Sequence, residues 1–137
     1  MSPEARVRLL VALLRLGGVL TGSAFFAVLL PAEWMASIHA WLGMGDLPRE
    51  PIVDYLARTV AALYGFHGVM LFIVASDPVR YRALVRYVAA MNLIFGAALI
   101  VIDWHAGLPI WWTLGEGPPL VLVGALVGWL SRSLPRS

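Results

Sequence analysis

The chain contains no cysteine and, among its ten basic residues, no lysine. The first absence excludes disulfides, thiolate metal sites, iron–sulfur clusters and cysteine redox chemistry, and with them a quinone–disulfide oxidoreductase. The second carries no mechanistic meaning. Charge is scarce as well: 13% of the 137 residues are charged, and the net charge is +2. A balance that small, segregated along the chain, gives no footing for nucleic acid. There is no glycine-rich phosphate loop, no nucleophile elbow and no pair of carboxylates within one apolar run, so no catalytic residue is expected. HxxxH and HxxE spacings are absent too. Solvated loop acids therefore explain His39, His105, Glu33, Asp103 and Glu116 better than a metal site does, and no metal or cofactor is named.

What the chain does have is apolar surface. Hydrophobic residues make up 61% of it and mean hydropathy is +0.83, against roughly 45–50% apolar content in a soluble domain. A single all-α membrane domain accommodates such a composition. Four apolar runs, at 9–30, 52–76, 79–102 and 118–134, approach or exceed the roughly 20 residues needed to cross hydrocarbon. The first follows Arg6 and Arg8, as a signal peptide would. Its length, the internal Arg15 and the lack of a clean small-x-small cleavage site before Glu33 favour a retained helix instead. The turn at Asp77-Pro78 is short enough to set the third span antiparallel to the second. The fourth run is near the short limit, with Pro118 suited to a first helical turn.

The expected architecture is an antiparallel four-transmembrane-helix bundle. Trp34, Ile38, Trp41 and Leu42 recur at helical spacing, which predicts a short interfacial helix over 32–42 in the first outer loop. The second outer loop, 103–117, holds Trp104, Trp111 and Trp112 and no basic residue. It is expected to dip into the interface or fold over the bundle mouth. Arg6, Arg8, Arg15, Arg80, Arg82, Arg86, Arg132 and Arg136 fall on one side of the spans. Arg49 and Arg58 face Glu33, Asp46, Glu50, Asp54, Asp103 and Glu116 on the other. The positive-inside rule then makes both termini and the central turn cytoplasmic, in an inner membrane if the source is Gram-negative. Gly18 and Gly22, Ala57, Ala61 and Gly65, and Gly124 and Gly128 follow small-xxx-small spacing, which lets helix backbones approach closely.

Two polar groups lie within or beside the spans. At the outer mouth, Asp54 and Arg58 stand in the favourable i,i+4 order, with Asp103 and Glu116 on the same side. The reading favoured there is a structural ion pair, with Arg58 snorkelling outward to Asp54 or Asp103; an anion or headgroup clamp is the functional alternative. Deeper, Tyr64 and His67 share a face of the second span and bracket the level of Asn92 on the third. Interhelical hydrogen bonding is favoured there over a ligand or proton-relay site, because His67 has no carboxylate at its depth.

Pro31 and Glu33 after the first span, Tyr55-Leu56-Ala57-Arg58, Gly65 and Gly68, and the basic turn Asp77-Pro78-Val79-Arg80 give the chain an order of features that resembles the DoxX-like group of small bacterial membrane proteins. The likeness runs over most of the chain. It implies a four-helix bundle and a role beside membrane oxidoreductase or quinone-linked complexes, or in assembly, and it supplies no catalytic residue. The function expected is a non-enzymatic membrane protein that binds a lipid or lipophilic small molecule, or serves as an accessory or assembly subunit of a membrane complex. A small oligomeric transporter or channel, and a quinone- or haem-associated redox subunit, are the alternatives. The partners expected are membrane lipids, complex subunits or further copies of the chain.

Overall fold

The computed structural model describes residues 1–134; Arg136 of the basic set lies outside the described residues. Among these the fold is entirely helical. Six helices follow one another: α1 Pro3–Gly22, α2 Phe25–Leu29, α3 Ala32–Trp41, α4 Pro51–Ser76, α5 Arg82–Ala106 and α6 Ile110–Ser131. Pro3–Leu29, Pro51–Ser76, Arg82–Ala106 and Ile110–Ser131 are long and apolar enough to cross a membrane. Phe26, Leu29, Leu63, Phe66, Ile94 and Leu122 are among many large apolar side chains left exposed on them. A soluble protein rarely exposes apolar patches beyond a few hundred Å², whereas lipid accepts them without cost. The chain is a multi-pass membrane protein.

Local chemistry sets the helix limits. The first span, expected to run unbroken over 9–30, starts earlier and breaks after Gly22. Near the break, the Thr21 hydroxyl donates to the Gly17 carbonyl at 2.8 Å and the Ser23 hydroxyl to Leu20 at 2.7 Å. Side chains bonded back to the helix in this way compete with its own ladder. Leu30 is extended, as the residue before Pro31 should be, and α3 begins directly after that proline. The helix expected over 32–42 is thus present, and none of its residues is buried. At the central turn Asp77 Oδ1 accepts the Arg80 backbone N–H at 3.0 Å, which delays α5 to Arg82 rather than Val79.

The fourth span departs most from expectation. It begins at Ile110 and runs through Pro118 and Pro119, instead of starting at Pro118. Gly107, at φ 69°, takes the left-handed conformation that closes α5, and the Leu108 N–H reaches back to the Asp103 carbonyl at 3.1 Å. Pro109 then leads straight into α6. The two internal prolines withhold N–H donors from the carbonyls of Leu114 and Gly115, a loss that membrane helices tolerate where neighbouring groups re-satisfy the backbone. The expected loop 103–117 shrinks to three residues, and its tryptophans ride on α5 and α6.

The residues form two compact units, Met1–Arg15 with Ile73–Ser137, and Leu16–Phe72. In the first, α5 and α6 pack antiparallel. A Cβ on Gly96 would fall 2.8 Å from the Gly117 carbonyl, and one on Gly124 would fall 2.9 Å from that of Ala89. Arg6 lies over the Trp129 ring, 4.9 Å from its centroid, which sets the start of α1 beside the end of α6. The fully buried large side chains Leu10, Leu14, Val74, Val85, Val88, Val127 and Leu130 all belong to this unit. The second unit is held by close backbone approach instead. Gly18 and Gly22 of α1 meet Gly68 of α4, and Phe25 of α2 covers Gly65 and stacks edge-on against Phe66 at 5.2 Å. As the chain ascends α1 and α2 it meets descending positions of α4, so this pairing is antiparallel as well.

Candidate functional site

Arg58 is the most heavily engaged polar side chain of the second unit. Its Nε donates to both oxygens of Asp54, at 3.0 and 2.9 Å, and Nη1 donates to the Val28 carbonyl at 2.5 Å. That carbonyl sits in the last turn of α2, where the helix stops before Pro31 and leaves its final acceptors without an internal donor. The guanidinium therefore caps one helix from another, with Asp54 fixing its fork. Asp54 and Arg58 are thus paired, one helical turn apart on α4. No pattern in the sequence marks a backbone acceptor thirty residues away, so Val28 could not be found there.

Beside this pair lies a cleft of about 200 Å³ between α3, the 42–50 connection and the first turns of α4. Met35, Ala36, Val53 and Ala57 line its apolar part, while Glu33, Arg49, Glu50 and Asp54 bring charge to it. The connection that closes it turns at Gly43 and Gly45, both at positive φ. His39 Nδ1 lies 3.0 Å from the Gly45 carbonyl, so that nitrogen carries the proton and donates. His39 thus braces the loop.

In the first unit, Asp103 is buried in α5 at 2% exposure, and its Oδ2 has no hydrogen-bond partner among the described residues. Antiparallel register places Thr113 of α6 at the same level, and Thr113 is also buried. Glu116, one turn further, accepts the Trp112 indole N–H at 2.8 Å and lies within electrostatic range of Asp103. Thr113 went unrecognised as a site residue because its segment reads as loop. Its spacing of four to Gly117 was the available signal.

The expected outer charge set thus resolves into one pair in each unit: Asp54 with Arg58, and Asp103 near Glu116. Tyr64 and His67 lie one turn apart on α4, both half-buried, in the second unit, and Asn92 is buried on α5 in the first. No group of three His, Asp or Glu side chains that could hold a metal ion occurs among the described residues. These groups can orient helices and hold a charge or a headgroup. Compared with family models, with curated proteins and with solved structures, the chain matches none.

Proposed function

We propose that the chain is a non-enzymatic, DoxX-like protein of a bacterial inner membrane, with both termini cytoplasmic, that holds one end of an amphiphile in the cleft beside α3. The observation that carries this reading is the cleft itself, with its apolar lining and its charged residues. At about 200 Å³ it is smaller than the roughly 300–1,000 Å³ of pockets that enclose a whole drug-sized ligand. It suits the tip of a lipid or lipophilic small molecule whose remainder stays in the bilayer. α3 supports the same geometry, since Trp34, Ile38 and Trp41 are exposed on it as on a helix lying at the headgroup layer. Arg58 is committed to Asp54 and Val28, which argues against its being a mobile clamp or a transported charge's partner.

Native mass spectrometry from mild detergent tests this. The expected spectrum shows adducts of lipid or small-molecule mass, which Ala36→Trp, filling the cleft, removes without unfolding the chain. Co-purifying subunits would assign the accessory role instead. A lone, ligand-free monomer in repeated preparations sinks the reading.

A further inference from the structure

We propose that the face of α1 between Arg8 and Arg15 binds an anionic phospholipid, its phosphate held by the two guanidinium groups and an acyl chain lying along Val11 and Ala12. The two arginines are seven residues apart, two helical turns on one face and about 10.5 Å along the axis. With Val7, Val11 and Ala12 they line an open groove of about 400 Å³. Arg15 is the one charged residue from Leu9 to Leu29 of the first span, and it is exposed. An arginine turned to lipid at that depth is costly unless it reaches a counter-charge. The described residues supply none: neither Arg8 nor Arg15 makes an ion pair among them, and the one pair they show is Arg58 with Asp54. Glu4 stands one turn before Arg8 and does not close on it.

The surroundings select the sign of the headgroup. Arg6, Arg80, Arg82 and Arg132 belong to the same compact unit as the groove, and the contact of Arg6 with Trp129 gathers the start of α1 and the end of α6 at one end of it. Such a field favours an anionic over a zwitterionic headgroup. The apolar floor favours a phospholipid over a free phosphate, because an inorganic ion gains nothing from Val11 and Ala12. The groove is separate from the α3–α4 cleft, so this inference and the proposed function can fail independently.

The test is lipid titration by native mass spectrometry, with phosphatidylglycerol and phosphatidylcholine of matched chains added to delipidated protein in neutral detergent. Wild type is expected to prefer phosphatidylglycerol. R8Q and R15Q should each lose about fivefold in phosphatidylglycerol affinity, and the double variant about 25-fold, from the usual worth of a basic residue at an anionic surface. R86Q, the same charge change at an exposed arginine outside the groove, should stay within twofold. R15K, which keeps the charge, covers the case in which R15Q misfolds, and should hold wild-type preference within about threefold. Four results would overturn the proposal. The double variant could keep its preference, or R86Q could lose as much as R15Q. Millimolar inorganic phosphate could displace the lipid. R8Q/R15Q could change the oligomeric mass while the lipid count stays the same, which would put a second copy of the chain on the groove.

Discussion

Gly68→Ala tests the packing of the second unit most directly. A Cβ at Gly68 would lie 2.6 Å from the Gly22 Cα and 2.7 Å from the Gly18 carbonyl oxygen. Ordinary contacts of that kind fall near ~3.5–4.0 Å, and both neighbours are backbone, so no side chain can swing away. The helices must part by about 1 Å, and overpacking of this sort costs about 1–3 kcal/mol. Alanine's better helix propensity offsets about 0.8–1 kcal/mol of it, leaving a net loss of about 0–2 kcal/mol. Gly128→Ala is the control. Its nearest neighbour would be the Ala89 Cβ at 3.6 Å, an ordinary contact, so only the propensity gain of up to about 1 kcal/mol remains. The two variants should therefore differ by about 2 kcal/mol, or about thirtyfold in the unfolding equilibrium. Reversible unfolding in mixed micelles by added dodecyl sulfate, followed by far-ultraviolet circular dichroism, measures this. Equal stabilities, or a Gly68→Ala protein more stable than Gly128→Ala, would refute the claim that backbone approach holds α1 to α4.

Three further outcomes are expected. Arg58→Ala should lower the thermal midpoint in detergent and Arg58→Lys should recover only part of it, because a single ammonium cannot serve Asp54 and the Val28 carbonyl in the same fork geometry; full rescue by lysine would leave charge alone as the cause. Trp112→Phe keeps an aromatic ring and removes the donor to Glu116, and should cost about 1 kcal/mol in the same unfolding assay; no change would mean that water replaces the indole N–H freely. Since the chain has no cysteine, Ile38→Cys gives a single labelling site on α3. A nitroxide there should show the collision profile of the headgroup layer, and free aqueous accessibility would detach α3 from the membrane surface.

Tertiary contacts rank residues that look equivalent in the chain. Gly18, Gly22, Gly124 and Gly128 all satisfy the same spacing. A Cβ would clash with the partner backbone at Gly124, whereas at Gly128 it would touch only a methyl group. Spacing reports which residues share a face of a helix, and it carries no information about where the partner helix crosses. The start of α6 was hidden for a related reason. Pro118 and Pro119 read locally as a helix beginning, and the true boundary rests on the Gly107 cap of α5 and on Pro109, which leads directly into α6.

Composition and pattern by themselves determined the all-α class, the four long apolar helices and the exposed α3. Those features depend on hydrophobic period, span length and local breakers, which are properties of consecutive residues. Only the tertiary structure decided that Arg58 caps the end of α2, that the α3–α4 cleft exists, that Thr113 and Asp103 share a buried level, and that Arg8 and Arg15 line one groove without an acidic partner among the described residues. Each of these depends on which atoms of distant residues meet, and above all on backbone carbonyls and voids, which no side-chain pattern encodes.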